Sequence, residues 1–203
     1  MENELLTPPG YRVFDYLLVL QPHEELWNTI MEIKKAFAKD YECETALYTK
    51  PHLTLVRFRQ IEMMERRIIQ RLKNITMSFS PIKVELKEFG SLPSHTIYIN
   101  ITSKVPIVNI VKALREPQKL MKLDKENKPH FITEPYLTIA RKLQPWQYEK
   151  GWLEFEHKHF HGRFIADHAV LLKRREEKKA YQIAAKFPFQ SVHAEIKQGE
   201  LFM

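Results

Sequence analysis

The sequence predicts an α+β protein with two antiparallel sheets and helices outside them, arranged as two similar lobes around a central cleft. Three observations lead to this prediction. The phrase PHLTLVR at 51–57 returns as PYLTIAR at 135–141 with four of seven positions identical. Apolar residues alternate in several short stretches, as in strands, and recur at helical spacing in the stretches between them. No Ser/Gly-rich linker divides the chain, so we expect one bilobal domain over residues 1–203.

The first part of the chain predicts two strands, each followed by a helix. YRVFDYLLVL (11–20) comes after the turn signal TPPG and is aromatic and aliphatic, as expected for a buried strand. The segment 22–40 begins at Pro22 and has apolar residues at helical spacing, which predicts an amphipathic helix. PHLTLVRF is the second strand, and an Ile and Met stripe over 61–75 predicts the second helix. The apolar positions of the first helix are Leu26, Ile30, Ile33 and Phe37.

The middle of the chain predicts a hairpin, a helix and a loop. IKVELKEFG (82–90) and HTIYINI (95–101) both alternate apolar and polar residues around SLPS, which is typical of paired strands. A helix should begin near Pro106 and end at or before Pro117, since proline interrupts helical hydrogen bonding. The lysine-rich stretch KLMKLDKENKP that follows is interpreted as a solvated loop.

The last part of the chain predicts two strands and two helices. PYLTIAR is a strand, and QPWQYEKGWLEFE (144–156) contains a short helix. RFIADHAVLLKR (163–174) is interpreted as one strand, and EEKKAYQIAAKF (176–187) as a helix before a short closing segment.

Composition limits the environment and the partners. Lys and Arg number 32 against 25 Asp and Glu, and the resulting charge of +7 favours anionic partners over long range. The chain has no apolar run near the roughly 20 residues that span a bilayer, and its acidic start is unlike a secretory signal. Cys43 is alone and cannot form an intrachain disulfide. We therefore expect a cytoplasmic protein without a membrane partner. The oligomeric state stays open.

The repeated phrase supplies groups suited to phosphodiester chemistry. Residues i and i+2 of a strand point to the same face, so His52 projects with Thr54, and Tyr136 projects with Thr138. Opening a phosphodiester needs a base near the attacking oxygen, an acid near the leaving oxygen, and donors on the other phosphate oxygens. Two such strands facing each other would line a phosphate-binding cleft.

At these motifs the sequence resembles the two-histidine (2H) phosphoesterases, in the branch that includes the bacterial 2'-5' RNA ligases and RNA 2',3'-cyclic phosphodiesterases. The resemblance covers nearly the whole chain. It rests on PHLTLVRF, FGSLPSHTIYINI, EPYLTIARKL and the terminal FIADHAVLLKRREEKKAYQIAAKFPF. It implies that His52 is an acid or base and that Thr54 and Thr138 bind phosphate. It also implies that the partner is RNA or a nucleotide with a 2',3'-cyclic phosphate, and that catalysis needs no cofactor and no metal.

The sequence departs from the family pattern where the second histidine is expected, because that position is Tyr136. A phenol can donate a proton, but with an ordinary pKa of about 10 it is a poor base at neutral pH. Three interpretations stay open. Tyr136 is the general acid of an active phosphodiesterase, or it positions phosphate in a slow or specialised enzyme, or it marks a binding protein that kept the groove and lost the reaction.

Other residues add weaker hypotheses. Arg57 and Arg141 each end a motif and are candidates for RNA contact, since arginine binds phosphate well. His130 could replace the missing histidine only if the chain bends between 130 and 136. His157, His159 and His161 alternate and are a weak metal hypothesis against a plain surface run, so no metal ligands are assigned.

Overall fold

The computed structural model describes residues 10–178 and 180–192. The amino-terminal MENELLTPP and the closing segment from residue 193 lie outside the described residues. Within these ranges there are nine strands and five α-helices. The strands are β1 Val13–Leu20, β2 Leu53–Ile61, β3 Ile82–Leu92, β4 Thr96–Ile101, β5 His130–Phe131, β6 Tyr136–Ala140, β7 His161–Ala166, β8 His168–Arg174 and β9 Gln182–Pro188. The helices are α1 Glu24–Asp40, α2 Glu65–Thr76, α3 Lys104–Ala113, α4 Gln118–Met121 and α5 Pro145–Phe155. None of the helices in the described ranges is long and apolar enough to cross a membrane.

The strands form two antiparallel four-stranded halves that meet at one point. The hydrogen-bonded order is β7-β3-β4-β6-β2-β1-β8-β9, and the short β5 also pairs with β2. We call β2-β1-β8-β9 the first lobe and β7-β3-β4-β6 the second lobe. The two lobes are joined between β2 and β6 through the pair Leu53 and Leu137. The predicted α+β class with antiparallel strands is confirmed. Instead of the two separate sheets expected, the described strands form one nine-stranded sheet, because the pair Leu53 and Leu137 joins the two halves.

The helices cover the lobes in an exchanged order. Helix α2 packs against β9 and α3 packs against β2, so both cover the first lobe. Helix α1 packs against β6 and β7, and α5 packs against β4, so both cover the second lobe. The apolar stripes predicted from the sequence face these sheets: Ile30 and Phe37 of α1 are buried, as are Ile68 and Leu72 of α2.

The carboxy-terminal part differs from the sequence-based expectation in two ways. The predicted single strand over 163–174 is two strands, because the chain crosses from the second lobe to the first at Asp167. The predicted helix over 176–187 is wrong: this part of the chain contains the edge strand β9, paired with β8. At the end of β9, the alternation of buried Phe187, Pro188 and the following buried Phe189 overrides the helix-like charge pattern of the preceding residues. An edge position tolerates the missing amide of a proline.

The lysine-rich segment is only partly a loop. Its first residues belong to the one-turn helix α4, where Met121 is fully buried. The buried Gln60 side chain donates from Nε2 to the carbonyls of Leu120 and Lys122, at 2.9 and 3.1 Å. This anchoring was not predicted, because a lysine-rich composition indicates exposure, although Met121 within the segment is buried.

Candidate active site

The two repeated phrases lie side by side where the lobes join. Leu53 and Leu137 are cross-strand partners, and both side chains are fully buried on the helix-covered face. In an antiparallel pair the residues before one partner lie opposite the residues after the other. Four half-buried side chains therefore share the opposite face. On it Thr138 lies across from His52, and Thr54 lies across from Tyr136. These four are His52, Thr54, Tyr136 and Thr138. We call this face the motif groove.

Both motif strands carry a β-bulge one residue after the motif threonine. In β2 the register shifts so that Leu55 is the extra residue, and in β6 the extra residue is Ile139. Bulges beside functional sites change the direction of the following side chains and add twist. The carbonyls of Leu55 and Ile139 need hydrogen-bond donors from outside the regular strand pairing, and the two donors differ. The carbonyl of Leu55 accepts from the backbone N–H of Ile132 at 3.0 Å, whereas the carbonyl of Ile139 accepts from Lys34 Nζ at 2.9 Å.

His52 is held in the form that suits a general base. Its Nδ1 lies 2.7 Å from the carbonyl oxygen of Lys50. Because a carbonyl only accepts, Nδ1 carries the proton, and Nε2 keeps its lone pair when the ring is neutral. Burial lowers the pKa of His52, the Lys50 contact partly opposes this, and the charges of Lys34 and Arg141 lower the pKa further. The neutral ring is therefore favoured at neutral pH.

Tyr136 belongs to an aromatic pair on the second lobe. Its ring lies 4.8 Å from the ring of Tyr98, measured between centroids, at an interplanar angle of 41°. Tyr98 lies across Gly90, its cross-strand partner. A Cβ at position 90 would be only 2.6 Å from Tyr98 Cζ, so the glycine makes room for the ring. Tyr98 was missed in the sequence, because an aromatic in an alternating strand is usually a core residue.

Lys34 is the most buried charged residue beside the site. It lies on α1 and its side chain has no exposed surface. Its ammonium donates to the carbonyls of Ile139 and Thr138, at 2.9 and 3.3 Å, and to Thr49 Oγ1 at 3.4 Å. Burial, reinforced by the charge of Arg141, lowers the pKa of Lys34 to about 8. One signal in the sequence could have found it: position 34 follows Ile30 by one turn, on the apolar face of the helix.

Arg57 and Arg141 are both exposed, and they occupy equivalent positions at the ends of the two motifs. Tyr181, just before β9, lies close enough to Arg57 and Arg141 for both charges to affect its pKa. Burial raises the pKa of Tyr181, and the nearby arginines oppose that rise. The guanidinium of Arg174 lies 4.7 Å over the Tyr181 ring. The groove therefore continues from the motifs along a surface with three arginines and an aromatic ring.

The remaining histidines lie elsewhere. His130 is the cross-strand partner of Arg57 on β5, several residues along β2 from His52, so it is not in the place of a second motif histidine. His159 and His161 both contact the Glu88 carboxylate, at 3.3 and 3.4 Å. His157 contacts Glu156 at 3.6 Å. The expected common strand face does not form, because β7 begins only at His161. Within the described ranges, no three His, Cys, Asp or Glu side chains converge in a way that could hold a metal ion.

The chain is similar in sequence to a known family and in structure to several known proteins. A family model described as the 2'-5' RNA ligase superfamily matches residues 22–178. The crystal structure of TT0787 from Thermus thermophilus is similar at a TM-score of 0.62 and 14% identity, covering 88% of this chain and all of that one. E. coli LigT in apo form is similar at a TM-score of 0.58 and 11% identity, with 88% and 98% covered. LigT complexed with 3'-AMP gives 0.60 and 10%, again with 88% and 98% covered. No curated protein sequence matches the chain. These findings confirm the resemblance inferred from the motifs.

Proposed function

Because the chain belongs to the 2'-5' RNA ligase superfamily, we propose that it hydrolyses 2',3'-cyclic phosphates on RNA ends or small nucleotides, without a metal. The observation that carries the proposal is the motif groove itself. Four side chains able to move protons or bind phosphate oxygens share one face around the single pair that joins the lobes. The similar protein LigT was crystallised with 3'-AMP and with phosphate, which supports a nucleotide phosphate as the ligand of this groove.

His52 has the role of general base in this proposal. With Nδ1–H donated to the carbonyl of Lys50, Nε2 has a free lone pair that takes a proton from the attacking water. The lowered pKa keeps the ring neutral and ready to accept that proton. Water oxygen forms a bond to phosphorus as the bond from phosphorus to one ribose oxygen breaks.

Tyr136 has the role of general acid. In the register of the joining pair it lies diagonally across the groove from His52. Diagonal neighbours in a regular antiparallel pair are about 7–8 Å apart, and somewhat less between Cβ atoms, a gap that a phosphate can bridge. Its phenol donates the proton that the leaving ribose oxygen needs. Both groups then exchange protons with solvent and return to their starting forms. Thr54 and Thr138 hold the non-bridging oxygens, where charge accumulates.

The test compares hydrolysis of 2',3'-cyclic AMP and of a cyclic-phosphate-ended RNA by five proteins in the presence of a chelator. These are wild type, His52→Ala, Tyr136→Phe, Tyr136→His and the control His130→Ala. Loss of a general acid or base costs about 10²–10⁴-fold in rate. We expect His52→Ala and Tyr136→Phe each to lose at least about a hundredfold. His130→Ala should stay near wild type, because His130 lies on β5, several residues along β2 from His52.

Three outcomes would contradict the proposal in different ways. An inactive wild type with an active Tyr136→His would identify the groove as a phosphate-binding site that has lost the reaction. Full activity in Tyr136→Phe would show that the phenol proton is not used. If none of the five proteins acts, the substrate class is wrong.

A further inference from the structure

The two motif bulges are built alike but are satisfied by different donors. In the first lobe a neutral backbone amide, from Ile132, completes the bulge at Leu55. In the second lobe the donor at Ile139 is the Lys34 ammonium, which also reaches the carbonyl of Thr138. A neutral donor would satisfy the hydrogen-bonding need equally well, since a carbonyl requires only an N–H or O–H. The second bulge therefore carries a full positive charge that its geometry alone does not require.

This charge has no acidic partner. The groups facing Lys34 are Arg141 from the end of β6, Cys43 and Thr49 from the chain between α1 and β2, and His52 from the start of β2. Within the described part of the chain, none of its hydrogen-bond or ion-pair partners is a carboxylate. Burying an ammonium without a compensating negative charge costs free energy. Such a group is therefore expected where an anion binds nearby.

We propose that Lys34 is a positioning residue that holds the β6 bulge and supplies the counter-charge behind the phosphate groove, so that phosphate binding and protonation of Lys34 are coupled. The inference rests on the proposed function, because it assumes that phosphate binds between the motif strands. The ammonium donates to the backbone carbonyl of Thr138 itself, at 3.3 Å, and the side chain of the same residue is proposed to touch the phosphate. The same charge adds to the effect of burial in lowering the pKa of His52, so Lys34 also favours the neutral form of the base.

Coupling follows from electrostatics. A phosphate dianion in the groove attracts the proton of Lys34, whose pKa of about 8 in the free protein then rises. Binding near pH 8–9 therefore takes up protons, and affinity falls as the pH rises through that range. The probe is 3'-AMP, whose phosphate loses its second proton near pH 6 and is a dianion throughout.

The experiment is calorimetric titration of 3'-AMP from pH 7 to 10, in buffers of different ionisation enthalpy, which together give the number of protons taken up. Three proteins are compared: wild type, Lys34→Met and the exposed control Lys35→Met. We expect wild type and Lys35→Met to take up protons near pH 8–9 and to lose about tenfold in affinity (about 1.4 kcal/mol) by pH 10. Lys34→Met should bind about tenfold more weakly at pH 7, with no proton uptake near pH 8–9.

The outcomes separate this inference from the proposed function. Binding by wild type without proton uptake between pH 8 and 9 would overturn the inference and leave the function standing. This measurement needs no variant, so it holds even if Lys34→Met folds poorly. Absence of 3'-AMP binding by wild type would overturn the phosphate site and the inference together. A purely structural role predicts weaker binding in Lys34→Met with an unchanged pH dependence, which also refutes the coupling.

Discussion

Replacing Lys34 by methionine should change how the stability of the protein depends on pH. Methionine is similar in length and can fill the buried space, but it has neither the charge nor the donors. In the folded protein the pKa of Lys34 is about 8, against 10.5 for an unburied lysine. Between these values the unfolded chain still holds a proton that the folded chain has lost. The free energy of unfolding therefore rises with pH across this window because of Lys34.

The expected size follows from the same two values. The slope reaches at most about 1.4 kcal/mol for each pH unit. Integrated from pH 7 to pH 10, the contribution of one group with this shift is about 2–3 kcal/mol. Below pH 7 the ammonium is charged in both states, and the full cost of burying it remains. The difference between wild type and Lys34→Met should therefore move by about 2–3 kcal/mol in favour of wild type over this range.

Urea unfolding followed by circular dichroism at pH 7, 8, 9 and 10 measures this difference. Other groups that titrate in the range are common to both proteins and cancel when the two curves are subtracted. Lys35→Met, on the exposed side of the same helix turn, is the matched control and should follow wild type at every pH. A wild-type-minus-variant difference that stays constant from pH 7 to 10 would refute the idea that Lys34 is a charged, buried group in this window.

Two further predictions concern the groove. Gly90→Ala should displace the Tyr98 ring from its place over residue 90 and so disturb its pairing with Tyr136, since the new Cβ would lie 2.6 Å from Tyr98 Cζ. The half-exposed ring can move, so we expect reduced turnover in the cyclic-phosphate assay with a thermal midpoint near that of wild type, and unchanged turnover would show that the aromatic pair is not needed. Arg57→Ala should reduce by about 0.7 the slope of log affinity against log salt for single-stranded RNA, as for the loss of one phosphate contact. Arg66→Ala, exposed on the helix-covered side, is its control and should leave the slope unchanged.

The sequence predicted the parts of the site that depend on local pattern. A strand period of two puts His52 with Thr54 and Tyr136 with Thr138, and this face is the one that the structure leaves half-exposed. The match between the phrases indicated two equivalent strands, and their contact through Leu53 and Leu137 follows from that equivalence. Membership of the family was also recognisable, because the motifs retain their order and their flanking residues.

The rest depends on contacts between distant segments, which a local pattern does not contain. Lys34 is about a hundred residues from the bulge that it completes, and a lysine in an apolar stripe resembles a small irregularity in an ordinary helix. The strand β9 was mistaken for a helix because charged residues precede it, although its pairing with β8 decides its conformation. The break at Asp167 also depends on pairing, since β7 and β8 belong to different lobes.

The interleaving of the two lobes bears on how such a chain could have arisen. Strand β3 follows α2 but pairs with β4 in the second lobe, and β8 follows β7 but pairs with β1 in the first. Helix α1 likewise follows β1 of the first lobe but packs on the second lobe, and α3 follows β4 of the second lobe but packs on the first. A single repeat would leave its first strand paired on one side only and would have no sheet beneath its first helix. An ancestor consisting of one repeat would therefore need a second copy to supply the missing strand and sheet. Duplication and fusion of its gene would place both copies in one chain, whose two motifs could then differ, as His52 and Tyr136 do.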